Sequence, residues 1–285
     1  MINHTNKNKY TWGIEKLNKR LSKPDNMELI TIYGGAWTGK TEFTHFVARA
    51  NADNWIKVCY ISLEMPRDQL ALRYALKRAG IKEYIDYQDK NYTDRQGGLI
   101  DQYYKEFIEY KNIELVWEDK QYTIQDLLSE NRDNIWLMTQ YYDMWYRLFI
   151  IDNLGKIQSW KNEWEAQWEI TSALQSWKNK YKTCVFLIHH TGKKQKWVEA
   201  NMRWSQKIID NSTRVIRLER DSDTEATPIE KARLDILQEK NSMWGSYDAT
   251  DCYFDKWVYV DEFTNIGNKP IKKIITDDTI DDLPF

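Results

Sequence analysis

Eight consecutive residues have the types and spacing that bind a nucleoside triphosphate. They are Gly34, Gly35, Ala36, Trp37, Thr38, Gly39, Lys40 and Thr41. They fit the G-x-x-x-x-G-K-[ST] pattern, in which glycines let successive backbone N–H groups face one phosphate. Lys40 is expected to reach the β- and γ-phosphates, and Thr41 to offer its hydroxyl to Mg²⁺. Glu42 opens the next helix and is counted with the same nucleotide-binding segment.

The flanks of this loop supply the context that the pattern requires. Residues 28–33 are apolar and β-branched, as in a buried strand, and residues 42–50 carry apolar side chains at helical spacing. The N-terminus of such a helix adds a partial positive charge beside the phosphates. The order strand, loop, helix therefore favours a phosphate-binding loop over the alternative, an ordinary glycine-rich turn.

Two acidic residues at the ends of predicted strands are candidates for phosphoryl-transfer chemistry. Asp152 follows an apolar run of four residues, where a carboxylate can hold Mg²⁺ through water beside Thr41. Glu64 lies just past the strand at residues 57–62 and could orient a water at the γ-phosphate. Each has a structural alternative, because many buried strands end in Asp and a Glu in this place can cap a helix.

Strand and helix patterns alternate along the chain. Apolar runs predict strands at residues 28–33, 57–62, 112–117, 147–152 and 183–188, then partly antiparallel strands at 213–219, 232–238 and 247–260. Helices are predicted at residues 42–50, 69–78, 123–145 and 171–180, and at 80–112 with a break at Gly97-Gly98. This alternation predicts an α/β fold with a mainly parallel twisted sheet, helices on both faces and antiparallel C-terminal strands. Ligands of such sheets bind at the carboxyl ends of the strands.

Composition bounds the class of protein. The chain has 285 residues, a length that allows one large domain or two small ones. Charged residues make up 29% of it, and the net charge is −2. No apolar run reaches the length of a membrane span, so no membrane partner is predicted. Cys59, Cys184 and Cys252 are far apart and show neither zinc nor disulfide spacing, which indicates buried thiols in a reducing cytosol.

Seven short motifs, in order along the chain, resemble the RecA-like ATPase domain of the DnaB-type replicative helicases. They lie within residues 12–17, 29–43, 60–73, 113–127, 149–152, 185–190 and 213–221, so the resemblance covers roughly residues 12–260. In style the chain resembles small plasmid and phage hexameric helicases and RecA-like phage recombination ATPases. The resemblance implies a RecA-like P-loop NTPase core, ATP and Mg²⁺ as cofactors, and DNA-stimulated hydrolysis. It also implies work on single-stranded DNA as a homo-oligomer, either a hexameric ring or a filament.

The same resemblance assigns further site residues and shows where this chain departs from the family. Glu64 matches the catalytic carboxylate. His190 stands where most of the family has Gln, and it is expected to sense the γ-phosphate unless backbone carbonyls satisfy it. Lys240 occupies the position from which relatives donate a Lys-x-Arg cation across a subunit interface; a solvated strand-end lysine is the alternative.

DNA contacts are expected in the segments after the fourth and fifth predicted strands, which line the DNA channel of RecA-like motors. Cations there suit backbone phosphates, and interleaved tryptophans suit unstacked bases. A basic surface loop is the alternative. The predicted DNA-binding residues are Lys156, Lys161, Lys193, Lys194, Lys196, Trp197, Arg203, Trp204 and Lys207.

We expect three regions along the chain. Residues 1–27 form a polar N-terminal arm with a short helix, residues 28–262 the ATPase domain, and residues 263–285 a flexible acidic tail. The tail resembles that of bacterial single-strand DNA-binding proteins, and it could dock host replication proteins, cover the DNA loops of this chain, or stay disordered. Its terminal residues are Asp281, Asp282, Leu283, Pro284 and Phe285.

Three functions remain open at this point. A helicase or translocase needs a ring and strand separation, whereas a recombinase or annealing accessory coats single strands without unwinding them. A nucleotide-switched helicase loader would bind ATP mainly to change partners. In each case the expected location is the cytosol of a bacterial host, with a phage or plasmid as a possible source.

Overall fold

A nine-stranded sheet forms the centre of the computed structural model in the part of the chain that it describes. That part comprises residues 10–81, 84–128, 137–159, 161–190, 207–220, 227–242, 248–255 and 258–260. The strands are β1 (Leu29–Gly34), β2 (Val58–Ser62), β3 (Ile113–Val116), β4 (Leu148–Asp152), β5 (Cys184–His190), β6 (Arg214–Glu219), β7 (Arg233–Asn241), β8 (Asp248–Asp255) and β9 (Val258–Val260).

The strand order is β3-β2-β4-β5-β1-β6-β7-β8-β9. In this spatial order, the first six strands, from β3 across to β6, run parallel to their neighbours. The pairs β6–β7, β7–β8 and β8–β9 are antiparallel. The predicted mainly parallel sheet with antiparallel C-terminal strands is therefore confirmed. In this order β1 lies between β5 and β6, and Gly34 pairs with His190. The end of β1 thus faces the end of β5 at the carboxyl edge of the sheet.

Helices precede or connect the strands of the described sheet. They are α1 (Glu15–Arg20), α2 (Lys40–Asp53), α3 (Arg67–Arg78), α4 (Tyr84–Gln88), α5 (Asp94–Ile108), α6 (Ile124–Leu128), α7 (Leu137–Asp143), α8 (Glu163–Tyr181) and α9 (Pro228–Ala232). A short 3₁₀ helix, Leu154–Lys156, follows β4, and residues 207–211 are helical before β6.

Two separate cores show that helices cover both faces of the sheet. Alternate strand residues point to opposite faces. Ile150 of β4 packs in the core that includes α1, α2 and α3, whereas its neighbour Ile151 packs in the core that includes α6, α7 and α8. Both side chains are fully buried. Burial on both faces explains why these strands are continuous apolar runs in the sequence.

The glycine pair at residues 97–98 does not interrupt the helix, so the predicted break is wrong. Helix α5 runs through both glycines because a capping box fixes its start: Gln96 N donates to Thr93 Oγ1, and the Gln96 side chain bonds back to the Thr93 backbone. Buried Ile100 and Phe107 then hold the helix against its neighbours. These contacts outweigh the low helix propensity of glycine.

The segment before β1 contributes to the core, although its composition suggested a polar arm. Trp12, Leu17 and Leu21 are fully buried, and the predicted short helix is α1. The indole N–H of Trp12 donates to the carbonyl of Ser22 at 2.7 Å. Arg214, at the start of β6, donates to the carbonyl of Leu21 at 2.6 Å and so ties the segment to the sheet.

Cysteines and helix lengths can both be compared with the composition within the described residues. The three cysteines are free and buried, as expected. None of the described helices combines the length and apolar character needed to cross a bilayer.

Candidate functional site

The predicted phosphate-binding loop joins β1 to α2, so it lies at the carboxyl edge of the sheet. Gly39 takes a left-handed conformation (φ 89°) immediately before α2, which glycine adopts without strain. At Gly34 a Cβ would come within 2.5 Å of the carbonyl oxygen of Leu218 on the neighbouring strand β6. The loop can therefore approach β6 only because this position lacks a side chain.

The ammonium group of Lys40 is buried within this loop. Its Nζ donates to the carbonyl oxygens of Gly34 at 3.0 Å and Gly35 at 2.6 Å. Burial lowers the pKa of Lys40 from 10.5 to about 8, against the opposing effect of Asp152 and Glu64. A phosphate placed here would supply the negative charge that a buried ammonium requires.

Asp152 closes β4 and is buried beside the loop. Its Oδ2 accepts a 2.9 Å hydrogen bond from the hydroxyl of Tyr60, whereas its Oδ1 is buried without a hydrogen-bond partner among the described residues. Burial raises the pKa of Asp152 to about 6, and the nearby hydroxyls of Thr41 and Tyr60 oppose that rise. The carboxylate therefore lies beside the Thr41 hydroxyl, and the oxygen left without a partner suits a hydrated Mg²⁺.

Glu64 and His190 complete a cluster at the ends of β2, β4 and β5. The Nε2 of His190 lies 3.3 Å from Oε2 of Glu64, and Asn153 donates its side-chain N–H to the same oxygen. Burial lowers the pKa of His190, the charge of Lys40 lowers it further, and Glu64 opposes both. The structure thus brings together five predicted site residues from four parts of the chain: Lys40, Thr41, Glu64, Asp152 and His190.

Asn153 and His189 each lie next to a predicted site residue in the sequence. Asn153 was missed in the sequence, although its place directly after Asp152 was a signal that it lies at the same strand end. His189 precedes His190, so its side chain leaves the opposite face of β5. Burial lowers the pKa of His189 to about 4, which favours a neutral imidazole.

Trp37 and Glu42 differ in their exposure. The side chain of Trp37 at the tip of the loop is 86% exposed and has φ 65°. Glu42 is instead buried and forms ion pairs with Arg73 and Lys77 of α3. Burial alone would raise the pKa of Glu42, but these two cations hold it below its usual value. The contacts show that the Glu42 carboxylate joins α2 to α3, and the expected contact of Glu42 with nucleotide stays a prediction.

Lys240 lies at the amino edge of the sheet, opposite the phosphate-binding loop. It pairs with Val215 near the start of β6, and its Nζ donates to the carbonyl oxygens of Ile209 at 2.6 Å and Asp210 at 3.0 Å. These carbonyls belong to the helical turn at residues 207–211. Lys240 is therefore distant from the nucleotide site of its own chain, and its action across an interface stays a prediction.

Three of the predicted DNA-binding residues lie in the described part of the chain. Lys156 is exposed and lies close enough to His190 to lower its pKa. Lys161 forms a 3.1 Å ion pair with Glu169, and the ammonium of Lys207 lies 5.2 Å from the centre of the Trp168 ring. Outside the described residues are Lys193, Lys194, Lys196, Trp197, Arg203, Trp204 and the tail residues Asp281, Asp282, Leu283, Pro284 and Phe285.

Solved structures with the same architecture were found by comparison. The ATPase domain of a phage helicase gives a TM-score of 0.72 at 17% identity, over 89% of this chain and 91% of that chain. A DnaB-like replicative helicase, described with its interactions with primase, gives 0.70 at 17% identity, over 88% of this chain and 63% of that chain. The RadB recombinase gives 0.54 at 10% identity, over 89% of this chain and 100% of that chain. These likenesses establish the RecA-like fold.

The sequence comparisons identify the family. Among curated proteins compared by sequence, none matches this chain. The family model for the DnaB-like helicase C terminal domain matches residues 11–259. The chain therefore belongs to the DnaB-like helicase C-terminal domain family and is a helicase-type ATPase domain, as the ordered motifs predicted.

Proposed function

We propose that this DnaB-like helicase domain is a Mg²⁺-dependent ATPase that moves along single-stranded DNA. The observation that carries the proposal is the convergence of Lys40, Asp152, Glu64 and His190 at one edge of the sheet. Phosphoryl transfer requires mainly that the protein position a water molecule, bind a metal ion and supply positive charge near the phosphates. Each of these requirements has a side chain of the right type in this cluster.

The position of each residue in this cluster suggests its role in ATP hydrolysis. The loop N–H groups and Lys40 bind the β- and γ-phosphates, and Thr41 with Asp152 holds Mg²⁺, which when bound neutralises charge on the phosphate oxygens. Glu64 is more exposed than Asp152, and Asn153 fixes one of its oxygens, so Glu64 orients the attacking water. His190 lies between Glu64 and the segment that follows β5, where it can sense the γ-phosphate.

Contact with DNA is proposed for the segments that follow β4 and β5. The first holds Lys156 beside the nucleotide cluster, and the second begins directly after His190. A change at the γ-phosphate can therefore act on both segments over a short distance. Exposed cations that bind backbone phosphates make such binding steeply salt-dependent.

Assembly into a homo-oligomer, as a hexameric ring or a filament, completes the site in this proposal. Lys240 lies at the edge opposite its own phosphate-binding loop, so in a head-to-tail assembly it could reach the loop of the next subunit. A cation supplied in this way can raise the rate by about 10³–10⁵ in related systems. The isolated subunit is then a weak ATPase. The acidic tail would recruit host replication proteins in the bacterial cytosol.

Unwinding of a forked duplex tests the proposal. The full chain with ATP and Mg²⁺ should separate the strands, single-stranded DNA should stimulate ATP hydrolysis, and electron microscopy should show rings on the DNA. The Lys40→Ala variant is the matched control and should do neither reaction. Filaments that coat or anneal strands without separating them would favour a recombinase or annealing accessory. ATP binding without DNA-stimulated hydrolysis would favour a helicase loader.

A further inference from the structure

Three metal-ligating side chains meet at the ends of adjacent strands. Ligand atoms of Glu64, Asp152 and His190 lie within 4.8 Å of one another. The residues follow or end β2, β4 and β5, which are neighbours in the sheet. Because parallel strands bring their carboxyl ends to one edge, this juxtaposition is built into the fold and does not depend on a loop alone.

The spacing of two of these ligand atoms fits a shared cation. Oε2 of Glu64 and Nε2 of His190 are 3.3 Å apart. Two ligands bound to one tetrahedral metal ion at bond lengths of about 2.1 Å lie about 3.4 Å apart. A cation can therefore bridge these two atoms with little movement of either side chain.

The third ligand has an oxygen available on the buried side of the cluster. Asp152 is only 3% exposed, and its Oδ1 has no hydrogen-bond partner among the described residues. Nε2 of His190 also makes no aligned hydrogen bond within the described part of the chain, although it lies near Glu64. A buried polar atom without a partner is costly, and a coordinated cation would remove that cost.

The charges around the cluster also favour a cation. Two carboxylates face the position, whereas the nearby ammonium of Lys40 is engaged by two carbonyl oxygens of its own loop. Lys156 contributes a second positive charge at the exposed side. A divalent ion bound directly to both carboxylates lies closer to the negative charges than either lysine does.

We propose that Glu64, Asp152 and His190 form a site for a first-row transition-metal cation such as Zn²⁺ or Co²⁺, which binds without nucleotide. Imidazole nitrogen suits these ions, whereas Mg²⁺ takes oxygen ligands and gives up its water reluctantly. The site shares Asp152 with the proposed Mg²⁺ position but does not depend on ATP hydrolysis. Because the cation occupies Glu64, its binding withholds that carboxylate from water and inhibits the ATPase.

Titration of the nucleotide-free full chain with Co²⁺, followed by visible absorption, tests the site. We expect one Co²⁺ per chain, displaced by Zn²⁺ but not by millimolar Mg²⁺. The matched variant His190→Gln keeps an uncharged hydrogen-bonding group and every other histidine and cysteine. It should weaken Co²⁺ binding by about tenfold or more. Equal affinity in the variant, or no saturable binding to the parent chain, would overturn the proposal.

A second variant and a folding control make the result specific. Glu64→Gln should also weaken Co²⁺ binding, and thermal melting should show that both variants are folded. Parent affinity in Glu64→Gln would show that the cluster is not the site. The titration contains no ATP or DNA, so a chain that binds Co²⁺ but does not hydrolyse ATP would contradict the proposed ATPase function and not the metal site. A chain that shows DNA-stimulated hydrolysis but binds no Co²⁺ would contradict the metal site alone.

Discussion

The hydroxyl of Tyr60 donates a 2.9 Å hydrogen bond to Oδ2 of Asp152, across the neighbouring strands β2 and β4. Burial raises the pKa of Tyr60 well above its usual value, so the hydroxyl keeps its proton and stays a donor. One carboxylate oxygen is thereby fixed, and the other is left without a partner among the described residues. The protein holds this acid in a position that costs stability, which is common where a side chain serves function.

Asp152→Asn should stabilise the fold at neutral pH. The pKa of Asp152 is about 6 in the folded chain against a usual value of 3.8, so the folded state binds the proton more tightly than the unfolded state. Stability contributed by this group is present below about pH 4 and is lost as the pH rises through 6. The neutral amide can still accept from Tyr60. Urea denaturation without nucleotide or divalent cation should show a gain of about 2–3 kcal/mol at pH 7.5.

The matched measurement at pH 4.5 should show only about a third of this gain, because Asp152 is then neutral in the folded state while the unfolded chain still ionises it in part. ATP hydrolysis by the variant should be lost at both pH values. A variant that is less stable than the parent at pH 7.5 would show that the buried carboxylate stabilises the fold.

Gly34→Ala should disrupt the phosphate-binding loop. The added methyl group would lie 2.5 Å from the carbonyl oxygen of Leu218, so either the loop or β6 must move. We expect a loss of about 1–3 kcal/mol in stability and a loss of ATP binding. The matched control is Gly98→Ala in α5, where a Cβ meets nothing within 4 Å. It should gain about 0.5–1 kcal/mol from the higher helix propensity of alanine, and parent-like ATP binding by Gly34→Ala would contradict the loop geometry.

Arg214→Ala should be strongly destabilising. The guanidinium is buried, pairs with Glu28 at 2.8 Å and donates to carbonyl oxygens of the segment that follows α1. Its removal leaves a buried carboxylate unpaired, at a cost of about 3–5 kcal/mol. Arg233→Ala is the control, since its 2.8 Å ion pair with Asp235 is half-exposed and should contribute at most about 1 kcal/mol. Chemical denaturation of both variants compares them, and equal losses would refute the tie between the N-terminal segment and β6.

Lys156→Ala should weaken single-stranded DNA binding at every sequence tested. Removing one phosphate contact lowers the slope of log affinity against log salt by about 0.7. Lys19→Ala is the control, because this exposed lysine lies on α1, away from the strand ends that hold the nucleotide cluster. Fluorescence anisotropy with a labelled oligonucleotide over a salt series measures both slopes. If Lys19→Ala and Lys156→Ala give the same slope as the parent, the segment after β4 does not contact DNA.

The parallel strands and the phosphate-binding loop were predictable because their signals are local. A strand buried on both faces is an apolar run, and the loop pattern fixes each glycine by a backbone requirement, as at Gly39. The positions of Asp152 and Glu64 at strand ends were predictable for the same reason, since each closes or follows such a run. Their mutual approach follows from the parallel topology.

What the sequence did not reveal depends on contacts between distant residues. The ion pairs of Glu42 with Arg73 and Lys77 of α3 have no local signal in the sequence. Trp12 belongs to a polar stretch, yet it packs against Phe186 of β5. Such partners lie far away along the chain, so periodicity and propensity carry no signal for them.

ATP turnover by the purified chain in the presence of single-stranded DNA, compared with Lys40→Ala, tests the central claim most directly. The parent chain should hydrolyse ATP at a rate that DNA increases, and the variant should lose hydrolysis because no ammonium reaches the β- and γ-phosphates. Circular dichroism would establish that the variant is folded. A folded Lys40→Ala chain that hydrolysed ATP as fast as the parent would contradict the assignment of this loop as the site of hydrolysis.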